Sequence, residues 1–451
     1  MVRTYGDVPY YDHVLGSTDK DIYKGRDDRG YVMDKVLEDF DFAIANLPGS
    51  WEKLNTRVTK WAALGYASRA ALFEGTFRKY HGMKDAEKYL TACAEYGKAF
   101  IDGAPFSLYN TGATPYRDLF SSVDAKTQEV VLCRHYDMQF GVVHGLGNQV
   151  TFSRSSLTRR FVNHYLMADG TRFTDKPGWE TMFYTDEVKD RDPRLAQTVL
   201  CPGYVQVGAS AVTPCEFYSW TGYEPIKHVP AAERCVSSSD DTDWILLRAA
   251  EVYLNFAEAK AELGTLTQND LDVSVNKIRA RAKMPSLNLT AANDSPDPYM
   301  IECYPNVDKG GNRGVILEIR RERTVELALE EPERVWDMFR WAEAKQCLQH
   351  YVPWYGVYIP ALGAYDTTGD GKADVEFVKT SSGAVKIKVG TKMQDVVLSN
   401  GDSGYIVSYS TTDYGFLWDD SRDYLWPIPA KERTLNPNLS QNEGYVDGID
   451  S

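Results

Sequence analysis

The chain has 451 residues and a formal net charge of -14 at pH 7, with 43% hydrophobic and 25% charged residues. This length can bury a large core and is typical of about three domains. The acidic balance argues against nucleic acid as a partner and against adsorption to an anionic bilayer, because both need concentrated Lys and Arg. A neutral ligand is compatible with this negative net charge.

The first residues, Met-Val-Arg-Thr-Tyr-Gly-Asp, contain neither the apolar region of a signal peptide nor a lipobox cysteine. An apolar stretch at 61–73 is interrupted by Arg69. No run in the chain reaches the ~18 apolar residues that a membrane helix needs. The sequence therefore predicts no membrane span.

Helical patterns dominate the chain. The helix at 31–47 ends at Pro48-Gly49, a typical stop. Two helical hairpins are predicted, one turning near Gly82 and the other at Gly264. Their helices cover 58–80 with 85–101, and 244–263 with 270–282.

The two predicted hairpins can be aligned with each other. The alignment pairs Trp61, Leu64 and Ala67 with Trp244, Leu247 and Ala250, respectively. The Trp-x-x-Leu opening is similar to that of tetratricopeptide repeats, although most of the repeat consensus is absent. We therefore predict a helical-hairpin scaffold with large insertions, which can dock a protein partner.

Two regions depart from the helical pattern. Residues 136–152 are rich in Gly and His and predict a loop, in which the Gly-rich segment 141–147 is followed by no convincing helix. Residues 351–418 predict β-hairpins, with strands at 385–389 and 405–409. Irregular insertions on a helical scaffold are where ligand contacts usually occur.

Aromatic residues form clusters in these irregular regions. Each of the clusters Trp220-Thr-Gly-Tyr223 and Trp354-Tyr-Gly-Val-Tyr358 surrounds a glycine in a predicted loop, and Trp179 follows Pro-Gly. A planar ring can cover the C–H face of a pyranose, whereas the alternative is a ring that fills the core beneath a loop. The candidate glycan-binding residues are Trp179, Trp220, Tyr223, Trp354, Tyr355 and Tyr358.

An acidic loop resembles half of a calcium-binding loop. Its candidate oxygen ligands are Asp366, Thr368, Asp370 and Asp374. An EF-hand is excluded because Phe377 stands where the final Glu belongs. A calcium-binding turn and a merely acidic turn both remain open, so the one cofactor considered is a structural Ca²⁺.

A charged helix is predicted from residue 314 to a break at Pro332. Its Arg and Glu residues Glu318, Arg321, Glu322 and Arg323 lie within pairing distance along the helix. We interpret them as a structural ion-pair network and not as a catalytic acid pair. A second helix follows, with an apolar stripe of Val335, Met338, Phe339 and Ala342 that should be buried.

The remaining chemistry-bearing residues form no known motif. The seven cysteines lack CxxC or metal-ligand spacing, and we expect buried structural thiols with at most one incidental disulfide. The histidines show no HExxH pattern, and no nucleophile elbow, P-loop or dinucleotide fingerprint is present.

Several sequence blocks are distinctive. They include Arg-Asp-Pro-Arg-Leu at 191–195, Arg-Ala-Ala-Glu-Val at 248–252, the charged helix with Asp-Met-Phe-Arg-Trp at 337–341, and Pro-Ile-Pro at 427–429. These blocks resemble the motifs of the SusD/RagB family of glycan-binding lipoproteins. Glu331-Pro332 departs from the Gly that the family usually has there. The blocks occur in the family's order along most of the chain.

The resemblance implies a mainly α fold, a SusD-like helical-hairpin (TPR-like) scaffold with irregular loop and small β-hairpin insertions. It implies one domain over 1–451, with an N-terminal helical part at 1–150 and a C-terminal part at 151–451 that contains the insertion 351–418. Family members begin with a lipoprotein signal and further helices. We therefore expect Met1 to be a truncation or a misplaced start.

The implied function is non-catalytic binding of oligosaccharide or polysaccharide at the cell surface and delivery to a SusC-like TonB-dependent transporter. The implied location is the outer membrane, reached through a lipid anchor that this chain lacks, and the ligand is a glycan or possibly a peptide. The alternatives are a helical-repeat adaptor for another protein and a glycoside hydrolase. A glycoside hydrolase needs two carboxylates roughly 5–9.5 Å apart.

Overall fold

Helices form most of the regular structure in the computed structural model, which describes residues 1–51, 54–330, 333–348, 354–408 and 417–449. The fold is mainly α, as predicted. The α-helices are α1 (Val2–Tyr5), α2 (Arg29–Asn46), α3 (Lys60–Tyr80), α4 (Ala86–Gly103), α5 (Pro115–Ser121), α6 (Leu146–Phe152), α7 (Arg159–Val162), α8 (Tyr184–Glu187), α9 (Leu195–Thr198), α10 (Ala249–Glu262), α11 (Gln268–Asp272), α12 (Val275–Arg281), α13 (Leu289–Asp294), α14 (Pro298–Cys303), α15 (Arg313–Glu326), α16 (Glu333–Arg340), α17 (Ala344–Leu348) and α18 (Ala430–Leu435).

The strands form small antiparallel sheets. They are β1 (Val130–Arg134), β2 (Trp244–Arg248), β3 (Tyr355–Ile359), β4 (Gly363–Tyr365), β5 (Val375–Lys379), β6 (Val385–Val389), β7 (Lys392–Val396) and β8 (Gly404–Val407). β1 pairs with β2, β3 pairs with β8, and β4 to β7 form a meander in chain order. The predicted strand at 385–389 is therefore confirmed, and the one at 405–409 corresponds to β8, although residue 409 lies outside the described residues.

The first predicted hairpin is confirmed. Side chains of Asp28 and Thr59 cap the N-termini of α2 and α3 by accepting hydrogen bonds from backbone N–H groups. α3 and α4 pack side by side, and α10 packs against both of them and against α15. Small residues permit the close approach, since a Cβ on Gly97 of α4 would lie 2.8 Å from the Cβ of Phe256 in α10.

The second predicted hairpin needs correction at its start. Residues 244–248 form β2, paired with β1, and the helix begins at Ala249. The apolar run Trp244-Ile-Leu-Leu suits a buried strand as well as a helix, and the distant partner strand decides between them. The alignment of Trp244 and Leu247 with helical positions of the first hairpin is therefore wrong, while the turn at Gly264 is confirmed by its φ of 74°.

Two further helices differ from their predicted bounds. α6 replaces part of the loop predicted at 136–152, and the N–H of Gly147 near its start donates to Asp240. α15 ends at Glu326, before the predicted break at Pro332, which lies outside the described residues. The side chains of Tyr116 and Arg248 donate hydrogen bonds to the backbone carbonyl of Glu326. They thereby supply partners for a carbonyl in the last turn of the helix, where the helix itself supplies none.

The apolar stripe predicted for α16 is only partly buried. Met338 and Phe339 are buried, but Val335 is 41% exposed. Ala342 lies beyond the helix, which ends at Arg340, and has a φ of 55°. The helical spacing therefore does not extend to position 342.

The charges of α15 form the predicted structural network, mainly with other parts of the chain. Glu326 is fully buried and contacts Arg248 at 2.7 Å, Arg194 at 3.0 Å and Arg281. Within the helix, Arg321 pairs with Glu318 at 3.3 Å. The network thus joins α15 to several distant segments, which spacing along one helix could not show.

The interior contains a helical core and a second core beneath the strands. The second core contains Val357, Phe377 and Ile406 together with residues of the long connections before α10. Six cysteines of the described part are free and buried, which confirms the prediction of structural thiols, and the Cys347 side chain lies outside that part. None of the described helices is long and apolar enough to cross a membrane.

Candidate functional site

A cleft of about 610 Å³ lies between the β3–β8 pair, the turn at Trp179 and the segment around α7 and α14. Its wall combines aromatic rings with a few polar side chains. The aromatic residues include Trp179, Trp220, Tyr299, Trp354, Tyr355 and Tyr405, and the polar ones include Arg159, Arg160, Asn163, His164, Glu302 and Arg334.

Four of the six residues proposed from the sequence meet in this cleft. Trp179, Trp220, Trp354 and Tyr355 all line it, although they come from three separate segments. Trp220 is 50% exposed and the other three are partly exposed, so their rings remain accessible. Their role in glycan binding stays a prediction.

Two glycines bring the aromatic clusters together. The N–H of Val357 donates to the carbonyl of Thr221 at 2.8 Å, and a Cβ on Gly356 would lie 1.9 Å from that oxygen. Gly222 has a φ of 83°, and a Cβ there would lie 2.9 Å from Val357. Each aromatic-Gly-aromatic motif therefore has its glycine where the two segments touch.

The second cluster is a strand and not the predicted loop. Residues 355–359 form β3, which pairs with β8 from Tyr355 opposite Val407 to Ile359 opposite Gly404. Val357 and Ile359 point into the second core, while Tyr355 is partly exposed. A pattern of β-branched and aromatic residues is typical of a strand, and this signal was present in the sequence.

Tyr405 is a cleft residue that the sequence analysis missed. Its ring lies 4.8 Å from that of Tyr355 and 5.4 Å from that of Tyr358, measured between centroids. Its hydroxyl donates to the carbonyl of Glu180 at 2.8 Å, which ties β8 to the turn that carries Trp179. Tyr358, proposed from the sequence, contacts Tyr405 and is not among the residues that line the cleft.

Arg159 fixes the position of Trp179. Arg159 is 4% exposed, and its guanidinium donates a hydrogen bond to the carbonyl of Trp179 at 2.7 Å. It lies 5.8 Å from the Trp179 ring and 5.1 Å from the Tyr405 ring. Burial alone would lower the pKa of Arg159, but Tyr223 and Glu187 outweigh it and raise the pKa, so the group stays charged.

Tyr223, also proposed from the sequence, lies behind this wall. Its side chain is fully buried, and its hydroxyl donates to Glu187 at 2.8 Å and accepts from Arg159 at 3.2 Å. Burial, followed by the charge of Glu187, raises the pKa of Tyr223 well above its usual value. The ring supports Arg159 and does not reach the cleft.

The floor of the cleft is polar. Asn163 is 4% exposed; its amide nitrogen donates to the Tyr299 hydroxyl at 3.2 Å, while its amide oxygen meets no hydrogen-bond donor in the described part of the chain. His164 donates through Nδ1 to the carbonyl of Arg160 and accepts at Nε2 from Tyr304. Burial and then the charge of Arg334 hold the pKa of His164 well below its usual value, so it is neutral.

The cleft can bind a ligand by stacking and by hydrogen bonding. Aromatic faces cover apolar surfaces, and a buried, unpaired amide oxygen is costly unless a ligand donor or water reaches it. Among the lining residues that the structure describes, Glu302 is the one carboxylic acid. Glycoside hydrolysis usually needs two carboxylic acids that flank the bond to be cleaved.

The acidic loop lies between β4 and β5, and its carboxylates accept hydrogen bonds from its own backbone. Asp366 accepts from the N–H groups of Gly369 at 2.6 Å and Gly371 at 2.8 Å, and these bonds lower its pKa. Asp374 accepts from Thr367 and Thr368, and Asp370 from Lys372. In the described residues, no group of three or more His, Cys, Asp or Glu side chains is arranged to hold a metal. A calcium-binding turn in this loop stays a prediction.

Sequence comparison identifies two matching family models. The model of the SusD family matches residues 119–445, and a model described as starch-binding associating with outer membrane matches residues 1–72. No curated protein matches the sequence.

Solved structures show the same fold. A SusD-like protein from Bacteroides fragilis is 22% identical with a TM-score of 0.66, and the match covers 98% of this chain and 76% of that one. A SusD-like carbohydrate-binding protein from the same species is 20% identical with a TM-score of 0.63, covering 97% and 76%. A crystal structure with a xylogluco-oligosaccharide is 16% identical with a TM-score of 0.56, covering 97% and 77%. The SusD model spans well over half of the chain, and the chain therefore belongs to the SusD/RagB family.

Proposed function

We propose that this protein binds an oligosaccharide or polysaccharide in the cleft between Trp220 and Trp354, without catalysis. The observation that carries the proposal is the convergence of four aromatic residues, predicted from separate segments, on one cleft. A structural relative is described as carbohydrate-binding, and another contains a xylogluco-oligosaccharide. Both are consistent with a sugar ligand for this chain.

The cleft offers the two kinds of contact that sugars require. Trp220 and Trp354 present planar faces to the C–H surfaces of pyranose rings, and Tyr355 with Tyr405 extends this surface. The amide oxygen of Asn163 can accept a hydrogen bond from a sugar hydroxyl. Affinity should be modest, because a few such contacts must offset the entropy lost on association.

We further propose delivery of the bound glycan to a SusC-like TonB-dependent transporter at the outer surface of the outer membrane. Family membership and the outer-membrane association in the name of the matching N-terminal model support this proposal. Attachment to the membrane would come from a lipid anchor. Co-purification of the transporter with the lipidated protein from solubilised membranes tests it, and recovery without any transporter would contradict it.

Affinity gel electrophoresis in polysaccharide-containing gels tests the binding site. On a glycan that retards the wild type, Trp220→Ala and Trp354→Ala should each weaken retention by about tenfold or more, as expected for buried aromatic contacts. Trp426→Ala is the matched control, since Trp426 is 53% exposed and lies outside the cleft. Unchanged mobility of both cleft variants would disprove this site, and retention by no glycan would disprove the proposed function.

A further inference from the structure

A further aromatic side chain is exposed next to Trp220, outside the wall of the cleft. In the segment 217–220, the side chains of Phe217 and Ser219 are buried, whereas Tyr218 is partly exposed and Trp220 is 50% exposed. This alternation leaves the rings of Tyr218 and Trp220 on the solvent side of the segment. Trp220 lines the cleft, and Tyr218 lies beyond its lining.

The guanidinium of Arg154 contacts both of these rings. It lies 4.6 Å from the centroid of the Tyr218 ring and 5.5 Å from that of the Trp220 ring, as in cation–π contacts. Its Nη2 also donates a hydrogen bond to the side-chain oxygen of Gln394 in β7 at 2.5 Å. Tyr218, Arg154 and Trp220 therefore form one surface, the outer surface, which continues from the cleft at Trp220.

The backbone on both sides of the outer surface adopts an uncommon conformation. Arg154 and Phe217 have φ angles of 58° and 52°, in the left-handed region that bulky residues rarely adopt. The Phe217 ring is 1% exposed and packs edge-on against Tyr184, with 5.4 Å between the centroids. This buried ring holds the turn that presents Tyr218. Such conformations persist where the surrounding structure enforces them, and they are frequent at ligand-binding sites.

Hydrogen bonds hold Arg154 next to the loop that carries Trp220. The hydroxyl of Ser156 donates to the carbonyl of Arg154 at 3.2 Å and accepts from the N–H of Thr221 at 3.2 Å. Together with the bond to Gln394, these contacts order the guanidinium before a ligand binds. An ordered surface loses less entropy on binding than a mobile one.

We infer that the outer surface is a second binding subsite, which takes further units of the same glycan chain beyond the cleft. The faces of the two rings cover the C–H faces of pyranose units, and the N–H groups of Arg154 donate to sugar hydroxyls. Because Trp220 belongs to both surfaces, a chain bound in the cleft passes directly onto Tyr218. The ligand class is therefore an extended glycan chain. The inference rests on the proposed function, since it extends the same site.

The dependence of affinity on chain length tests this subsite. The probes are cello-, xylo-, manno- and malto-oligosaccharides from the disaccharide upwards, with the Kd measured by isothermal titration calorimetry. In a series that binds, the wild-type affinity should keep rising beyond the shortest member that binds. Tyr218→Ala should weaken the binding of the long members by about fivefold or more, because one stacking contact is lost, and leave that of the shortest binding member unchanged.

Two further variants separate stacking from other effects. Tyr218→Phe keeps the planar ring and should bind the long members as the wild type does. Tyr23→Ala is the matched control, because Tyr23 is 51% exposed and lies outside the lining of the cleft. Circular dichroism verifies folding, and if Tyr218→Ala does not fold, Tyr218→Leu replaces it, since leucine keeps apolar volume without a planar face.

The outcomes distinguish the outer surface from the cleft. A wild-type affinity that does not rise beyond the shortest binding member would overturn the second subsite and leave glycan binding in the cleft intact. The same holds if folded Tyr218→Ala binds every member as the wild type does, or loses equal affinity for short and long members. Binding of no probe, oligosaccharide or polysaccharide, by the folded wild type would overturn both the inference and the proposed function.

Discussion

Arginine is used differently in the core around α15 and in the cleft. In the core, Arg194, Arg248 and Arg281 surround the carboxylate of Glu326. In the cleft, arginines outnumber carboxylates on the described wall and contact aromatic rings and backbone carbonyls. The comparison indicates that the core arginines join distant segments through a shared carboxylate, whereas Arg159 in the cleft positions the Trp179 ring on an accessible wall.

The core network constrains the fold more than it stabilises it. Burying charges costs several kcal/mol for each ion, and the mutual attraction roughly compensates for this cost. Because the network joins α15 to α9, α12 and β2, it strongly disfavours any arrangement that would leave one of these charges buried without a partner. Removing one member should therefore be far more damaging than removing a surface pair.

Acidification should produce the largest loss of stability. Burial raises the pKa of Glu326, Glu330 and Asp337, but neighbouring arginines outweigh it, and the net pKa of each is lowered. Carboxylates with lowered pKa stabilise the fold at a pH above their unfolded values of about 4, and this stability is lost as the pH falls below them. We expect the Tm to fall steeply below about pH 4.5, followed by circular dichroism.

The ionisation of Glu343 should lower the stability of the fold as the pH rises, which is the opposite of the effect of the carboxylates in the network. Burial raises its pKa to about 7, so its ionisation costs stability as the pH rises from about 4.5 towards 7. Glu343→Gln should therefore flatten the Tm profile in that range without altering the acid limb. A wild-type Tm that is constant down to pH 3 would contradict the balanced network.

Glu326→Gln should be the most destabilising of the single substitutions. It leaves three arginines with one carboxylate fewer, and breaking a buried pair costs about 3–5 kcal/mol. Urea unfolding measures the loss. The matched control is Glu38→Gln, which removes an exposed pair with Lys35 and should cost less than about 1 kcal/mol. Equal losses for the two variants would remove the distinction between network and surface charges.

The cleft side of the comparison depends on backbone contact at Gly356. A methyl group there would lie 1.9 Å from the Thr221 carbonyl oxygen, so β3 and the Trp220 loop must separate. We expect Gly356→Ala to destabilise the protein by about 1–3 kcal/mol and to weaken glycan retention at the same time. Gly383→Ala serves as a control outside the cleft, since Gly383 has open space around it, although its φ of 88° adds some strain. Wild-type retention by Gly356→Ala would show that the two clusters need not meet.

The sequence predicts the helical scaffold better than the cleft, for physical reasons. Helix periodicity and caps are local, and α2, α3 and α4 follow the predicted bounds within a few residues. For the residues of β2 the sequence predicts helix, because the partner strand β1 is distant in the chain. Tertiary pairing therefore overrode a locally ambiguous pattern.

For the cleft, local motifs indicate aromatic residues of the wall but not their surroundings. The aromatic-Gly-aromatic motifs single out Trp220 and Trp354, which line one cleft, but a motif cannot show which ring of a pair turns inwards, and the Tyr223 ring does. Asn163 and Arg334 join the cleft only through the packing of α7 and α16, so no spacing in the sequence indicates them.

We expect added calcium to have the smallest effect on the stability of the protein. In the acidic loop, Asp366 and Asp374 accept hydrogen bonds from loop N–H groups, so these carboxylates already have partners in the backbone of the loop. A site for Ca²⁺ usually supplies six to eight oxygen ligands. We therefore expect excess Ca²⁺ to leave the Tm unchanged, with Asp370→Ala behaving like the wild type, in thermal unfolding with and without EDTA. A calcium-dependent rise in Tm that Asp370→Ala abolishes would show instead that this loop rearranges around a metal, and that hydrogen bonds to the backbone do not identify a purely structural carboxylate.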